Sequence, residues 1–267
     1  MMISWTSLMP LGDDAVSDTC DTSIIELVEL IQSSSRAIAF TGAGISTESG
    51  IEDFRSPGGL WTRNKPVLFQ DFLADDDERR RFWRMRKELI PTFLNAAPNA
   101  GHRALVELEL RGRIHAVITQ NIDELHQRAG SRKVVEVHGT AMKVHCLTCD
   151  KRWLAEEIQV RLDAGEEEFV CDECGGRLKS MTVSFGQDLP PAVWDEAAAL
   201  SMDCDLFVSL GSSLVVHPAA ALPEVAKRRG AKLVIINREP TPLDPLADLV
   251  INAPIGETMT AALQRLA

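Results

Sequence analysis

The stretch AIAFTGAGISTESG, residues 37–50, decides the fold. Four apolar residues run without a break into Thr41-Gly42-Ala43-Gly44. An unbroken run of this length marks a strand buried on both faces, as in a parallel sheet. The glycines mark a strand-to-helix turn whose backbone N–H groups can approach a pyrophosphate at a helix N-terminus. Two glycines are also what a plain tight turn needs. Thr47 stands where a third glycine is usual, and no acidic residue follows at the customary place for a ribose. The turn alone therefore leaves its ligand open.

Outward from this strand the same pattern repeats. Apolar runs at 114–118, 134–137, 181–185, 206–210, 233–236 and 249–251 read as further buried parallel strands. Helical periodicity lies between many of them, at 23–33, 102–110, 192–200, 219–229 and 257–266. The first helix has Thr22 or Asp21 available as its N-cap. Strands alternating with helices imply an α/β fold, a Rossmann-like doubly wound parallel sheet. Two stretches break the alternation. Residues 56–98 hold a Pro- and Gly-rich loop and then a helix over 76–94, with Phe82, Met85, Leu89 and Phe93 at helical spacing. Residues 143–179 hold cysteines and an acidic run at 166–168. The expected division is a flexible N-terminus over 1–20, a nucleotide-binding domain from 21–55, 99–142 and 180–267, and a small zinc-binding and helical second domain from 56–98 and 143–179.

Cys146, Cys149, Cys171 and Cys174 are spaced C-x2-C-x21-C-x2-C. Thiolates two residues apart grip one metal from a knuckle turn, and two knuckles complete a tetrahedral shell. Four sulfurs leave no position for water, so the Zn2+ they imply is structural and catalysis must come from elsewhere. Such pairing, without a signal-like N-terminus, favours metal over disulfides and a cytoplasmic location. No run approaches the roughly 20 apolar residues that span a bilayer, so no membrane partner is expected. The formal net charge of −11 argues against direct nucleic-acid binding, which needs clustered basic residues, and is compatible with a basic peptide.

Ligands of open α/β sheets sit outside the carboxyl ends of the strands. Five such ends deliver small or polar groups: Gly42 and Ala43; Gln120, Asn121 and Asp123; His138 and Gly139; Gly211, Ser212 and Ser213; Asn237, Arg238 and Glu239. A purely structural sheet does not require this convergence, and a large bound nucleotide explains it. The remaining histidines, His102, His115, His126, His145 and His217, lack metal-ligand spacing and read as polar contacts or surface groups. Cys204 reads as an inert core thiol.

With these residues in place the sequence resembles the sirtuin family, NAD-dependent protein lysine deacylases of bacterial type. The resemblance rests on GAGISTESGIEDFR (42–55), TQNIDELHQRAG (119–130), VEVHG (135–139), both C-x-x-C pairs, VSFGQDLP (183–190), GSSLVVHPAA (211–220) and IINRE (235–239), in that order. It implies that Gly42, Ala43, Asp53, Phe54 and Arg55 lie on the cofactor loop. Gln120, Asn121 and Asp123 would line the nicotinamide and ribose pocket, Asn121 and Asp123 taking part in catalysis. Gly211, Ser212, Ser213, Asn237 and Arg238 would hold the adenosine end, and His138 would be the general base. Val183, Phe185, Gly186, Leu214 and Val215 would sandwich an acyl-lysine peptide as an added strand, a mode that draws affinity from main-chain hydrogen bonds. NAD is then a consumed co-substrate. The acyl oxygen attacks C1′ of the nicotinamide ribose and nicotinamide leaves, giving an alkylimidate. A ribose hydroxyl activated by His138 then attacks the imidate carbon, and water completes the transfer, releasing lysine and O-acyl-ADP-ribose. Deacetylation is the leading expectation. Mono-ADP-ribosyl transfer to protein and a non-catalytic NAD sensor are the alternatives.

Three positions depart from the family pattern. Glu52 replaces the proline of G-I-P-D-F-R, which loosens that loop by about 0.4–1 kcal/mol through chain entropy and predicts altered cofactor affinity. Gln187 replaces the glutamate of F-G-E. The Tyr-x-x-Arg pair of sirtuins that prefer succinyl or malonyl groups reads Trp83-Arg84-Met85-Arg86. Arg86 alone remains to meet an acidic acyl group, and basic runs such as 79–87 are ordinarily solvated faces.

Overall fold

The computed structural model describes residues 14–53 and 65–266, with side chains from residue 21. Its main sheet has six parallel strands in the order β3-β2-β1-β7-β8-β9. These are β1 (Ala37–Thr41), β2 (Ile114–Thr119), β3 (Val134–Glu136), β7 (Leu206–Leu210), β8 (Lys232–Ile236) and β9 (Leu249–Ile251). The order reverses between β1 and β7, which makes their carboxyl ends the switch point at which doubly wound sheets bind ligands. Every residue of β1 and β7 is buried. Side chains alternate across the sheet, so Ala37 and Ala39 join one core while Ile38 and Phe40 join the other. Helices α1 (Asp14–Ser33), α4 (Ala100–Leu110) and α9 (Ile255–Arg265) cover the first face, and α7 (Pro191–Asp203) and α8 (Leu222–Arg228) the second.

Three sequence expectations are corrected. Helix α1 starts at Asp14, inside the segment expected to be flexible, so Asp21 and Thr22 lie within it rather than at its N-terminus. The run at 181–185 is not a strand of the parallel sheet. The strand there is β6 (Leu178–Thr182), which pairs antiparallel with β4 (Gly139–Cys146), itself paired with β5 (Arg152–Leu154). An apolar run cannot declare its partner, and Val183 beyond β6 donates to His138 O instead (2.8 Å). Finally, the glycine turn leads into a short 3₁₀ helix (Ala43–Ser49).

The second sheet packs with α2 (Phe69–Ala74), α3 (Asp76–Asn95) and α6 (Ala155–Asp163) around an aromatic cluster of Phe72, Phe82, Trp83 and Phe169. Asp75 caps α3 by accepting from Asp77 N (2.7 Å). Pro91 lies inside α3. It lacks the N–H that would bond Lys87 O, and Gln159 Nε2 donates to that carbonyl instead (3.4 Å). Strands β4 and β6 straddle the domain boundaries expected at 142/143 and 179/180. No helix among the described residues is long and apolar enough to cross a membrane.

Candidate functional site

The carboxyl ends of the parallel strands open into one cavity of about 790 Å³ between the two sheets. Of the residues assigned to it from sequence, Gly42, Ala43, Asp53, Gln120, Asn121, His138, Gly211, Ser212, Ser213, Asn237 and Arg238 line it, as do Val183, Phe185 and Gly186. Phe54 and Arg55 lie outside the described residues. Three other assignments fall elsewhere. Asp123 is 3% exposed and sits behind Asn121. Leu214 is buried in the core on one face of the main sheet, and Val215 is exposed without lining the cavity.

The glycines serve a purpose that the sequence did not disclose. A Cβ on Gly42 would lie 2.7 Å from Gly211 O, and one on Gly44 2.7 Å from Gly211 Cα. The N–H groups of Gly42 and Gly44 donate to Leu210 O (3.0 Å) and Gly211 O (2.8 Å). These glycines let the β1 and β7 turns meet backbone to backbone, and their own donors are spent on that contact. The result is a narrow cradle walled by main chain, which fits an extended nucleotide lying across the switch point.

One polar network fixes the β2 end. Asn121 Nδ2 donates to Gly42 O (3.2 Å) and Ser46 Oγ (3.0 Å). Ser46 Oγ donates to Asp123 Oδ2 (2.7 Å), whose other oxygen accepts from Leu125 N (2.9 Å). Burial raises the Asp123 carboxyl above its ordinary range, while these hydrogen bonds oppose the shift. Gln120 Nε2 bridges to Ser212 Oγ (2.7 Å), joining the β2 and β7 ends.

His138 stands at the joint between the sheets. Its backbone carbonyl holds Val183 N, and Gly139 follows at φ +69, where a Cβ would fall 2.0 Å from Met181 O. Its Nδ1 lies 3.1 Å from Gln120 O. A carbonyl only accepts, so Nδ1 carries the proton and the neutral ring holds its lone pair on Nε2.

Away from the cavity, the four cysteine sulfurs lie within 4.8 Å of one another. Cys146 and Cys174 sulfurs are 3.5 Å apart, and Cys149 and Cys171 3.6 Å. A tetrahedron with zinc–sulfur bonds of about 2.3 Å spaces its sulfurs at roughly 3.8 Å, so the set fits Zn2+. Thr148 N and Gly176 N point at sulfurs of Cys146 and Cys174 (3.4 Å each), and a Cβ on Gly176 would reach Cys146 Sγ at 2.6 Å. All four positions are sulfur, which closes the site to chemistry.

Sequence reasoning missed several wall residues. Met85 and Leu89 enter from α3 beside Arg86, which the sequence had offered only as a contact for an acidic acyl group. Glu48 comes from the 3₁₀ helix, Ala253 from just before α9 and Ile255 from its first position. Helical periodicity had marked Met85 and Leu89 as apolar positions without saying what they face. Arg86 is no solvated cation: it donates to Thr182 Oγ1 (2.9 Å) and stacks 4.9 Å over the Phe82 ring. Nothing in the sequence links 86 to 182.

Comparison with known proteins agrees with this geometry. The profile described as the Sir2 family matches residues 42–218. An NAD-dependent protein deacetylase of Rhodopseudomonas palustris is 47% identical over 246 residues, 91% of this chain and 97% of that protein. NAD-dependent protein deacetylase 2 of Streptomyces coelicolor is 49% identical over 85% of this chain and 95% of its own length. Among solved structures, a Sir2 complex with a deacetylated p53 peptide and 3′-O-acetyl ADP ribose superposes with TM-score 0.86 at 40% identity, covering 91% of this chain and 98% of that one. A Sir2–p53 peptide–NAD+ complex gives TM-score 0.83 at 41% identity, covering 90% and 97%. The chain belongs to the Sir2 family, the sirtuins whose motifs it carries in order.

Proposed function

We infer that the chain is an NAD-dependent protein lysine deacylase, with acetyl-lysine its principal substrate. The observation that carries this reading is His138 at the cavity wall, its Nδ1 proton directed at Gln120 O, which makes Nε2 the basic nitrogen of the neutral ring. Bound NAD supplies an electrophilic ribose carbon with nicotinamide as leaving group, and a ribose hydroxyl that takes up the acyl group. His138 Nε2 would receive the proton of that hydroxyl, as the lone pair of a neutral imidazole can. Asn121 is held by Gly42 and Ser46, and Asp123 steadies Ser46 from behind; together they orient the reacting end of the cofactor. Gly42, Ala43, Asp53, Phe54, Arg55 and Gln120 make up the cofactor loop and pocket, and Gly211, Ser212, Ser213, Asn237 and Arg238 receive the adenosine end. Zn2+ on the four cysteines holds the small module in shape.

The acyl-lysine peptide enters as a strand between the 183–186 and 214–215 segments. Phe185 (39% exposed) and Val215 (47% exposed) offer apolar surface there. Phe69 N holds Phe185 O (2.9 Å), which fixes the rim against α2. We assign residues 21–55, 99–142 and 180–267 to the nucleotide-binding domain and 56–98 with 143–179 to the small one, the crossings lying within β4 and β6. We place the protein in the cytoplasm, because its thiols are grouped for a metal and none of the described ones is bridged. The decisive experiment measures nicotinamide release from NAD with a panel of acyl-lysine peptides, beside His138→Ala. Peptide-dependent release with O-acyl-ADP-ribose, lost in the variant, is expected. ADP-ribose on a protein acceptor without deacylated peptide would mean a transferase, and NAD binding without release a sensor.

A further inference from the structure

Behind the nucleotide turn lies a pair of histidines that the chemistry above does not use. His102 and His126 are 0% and 1% exposed, with ring centroids 4.8 Å apart. Each has one nitrogen accounted for. His102 Nδ1 lies 3.4 Å from Asn99 N, a donor, so in the neutral ring the proton is on Nε2. His126 Nε2 lies 2.9 Å from Thr41 Oγ1, whose hydroxyl proton goes to Thr119 Oγ1 (2.8 Å). Thr41 must therefore accept from His126, which puts the proton on Nε2 and the lone pair on Nδ1. Burial keeps both rings neutral, with His102 lowered to about 4 and His126 to about 3. The two remaining nitrogens, a donor on His102 and an acceptor on His126, are buried and have no partner among the described residues.

An orphaned donor and an orphaned acceptor on touching rings are complementary halves of one bridge. A buried water satisfies such a pair by accepting from one and donating to the other. We propose that a single buried water joins His102 Nε2 to His126 Nδ1, and that the two histidines are positioning residues for Asn121. The chain of bonds then runs from Asn99 through both rings to Thr41 and Thr119, whose Oγ1 accepts from Asn121 N (3.1 Å). At its other end Asn99 Nδ2 donates to Ile45 O (2.6 Å) and Ser49 Oγ (3.0 Å) in the nucleotide turn. Ser46 in the same turn holds the Asn121 side chain. Asn121 is thus gripped by its backbone from one side of the circuit and by its amide from the other.

The kinetic consequence rests on the deacylase reading; the bridge itself does not. The test begins with imidazole ¹⁵N shifts of the zinc-loaded wild-type protein near neutral pH. Both rings are expected as the Nε2–H tautomer, with the His102 Nε2–H in contact with one long-lived water. A His126 proton on Nδ1, or no such water, overturns the bridge. The second arm compares His126→Phe with His126→Gln, which can still donate to Thr41. Loss of alignment at Asn121 is expected to lower kcat for nicotinamide release about a hundredfold in His126→Phe with little change in the peptide KM, and Gln is expected to recover part of it. Unchanged kcat below a lowered melting temperature would reduce the pair to a structural role and overturn the positioning claim. Should His126→Phe fail to fold, His102→Gln and the wild-type shifts decide. A wild-type protein that binds NAD but releases no nicotinamide would sink the functional reading and leave the bridge standing on its spectra.

Discussion

The six-stranded sheet and the three-stranded sheet bury their apolar residues by different means. The first is covered on both faces, and its central strands β1 and β7 are buried throughout. The second packs α2, α3 and α6 around the Phe82–Trp83–Phe169 stack, while Ala141 and Met142 of β4 join a smaller cluster with Phe93, Ile51 and Leu125. Ion pairs such as Arg80–Glu168 and Lys151–Asp172 decorate it from the surface, where pairs contribute little. A core that small leans on its metal. The large sheet therefore carries the polar strand ends of the site on a self-sufficient core, and the small one supplies a wall that a metal must hold.

Removing zinc should therefore have the largest effect and a local one. Structural zinc contributes about 10–16 kcal/mol in zinc-finger peptides. Chelation or Cys171→Ser is expected to strip hydrogen-exchange protection from β4, β5, β6 and α6 while β1, β2, β7 and β8 keep theirs. Equal loss in both sheets would mean that the small module depends on the metal no more than the large sheet does. His138→Ala probes the opposite case, a residue at the strand ends whose loss should spare the fold. Deacylation is expected to fall by about 10²–10⁴-fold with the melting temperature unchanged. A matching drop in stability would show that His138 pins the joint between the sheets as well. Gly42→Ala comes next, because its Cβ would meet Gly211 O at 2.7 Å and both partners are backbone. Overpacking of this kind costs about 1–3 kcal/mol, to be read from urea melts, with weaker NAD binding by calorimetry. Full stability with intact NAD binding would mean that the two turns are free to part.

How much of this was legible beforehand also divides between the two regions. Buried parallel strands announce themselves as apolar runs because both faces need covering, and strands at 206–210 and 249–251 fall where the sequence put them. The cysteines were legible because metal geometry fixes their spacing. The wall from α3 was not. Residues 79–87 carry the charge density of a solvated face, yet Arg86 turns inward to Thr182, 96 residues away in sequence. Burial lowers its guanidinium to about 10, so it stays charged at neutral pH, and no carboxylate pairs with it among the described residues. Asp123 and Leu214 are buried behind the wall, a placement the motif could not show, because a motif names residues without saying which face the wall and which support it. Arg86→Leu should lower turnover of acyl groups ending in a carboxylate by about tenfold relative to acetyl, as a lost charge-assisted hydrogen bond would. Equal changes for both acyl classes would place the guanidinium outside the acyl channel.

Each sheet also buries one group against its charge, and the two should respond to pH with opposite signs. Glu136 ends β3, one of its oxygens without a partner among the described residues, and burial raises its carboxyl from 4.5 to about 7. Between those values the folded chain keeps a proton that the unfolded chain has released, so the stability of the large sheet falls as pH rises through that window. Lys179 on β6 is 1% exposed; burial, then Arg86, lowers its amine from 10.5 to about 7. Here the unfolded chain holds the extra proton between about 7 and 10.5, so the small sheet gains stability as pH rises through that higher window. Glu136→Gln should stabilise by on the order of 1–2 kcal/mol above pH 7 and change nothing below about 4.5. Lys179→Met should remove the upward slope between about 7 and 10.5, whatever it loses in bonds from the ammonium to the Ser180 and Thr182 carbonyls. Residue-resolved hydrogen exchange across both windows reads the two slopes separately. Slopes of one sign in both sheets would show that a single global unfolding event, rather than two differently built cores, sets the stability of this chain.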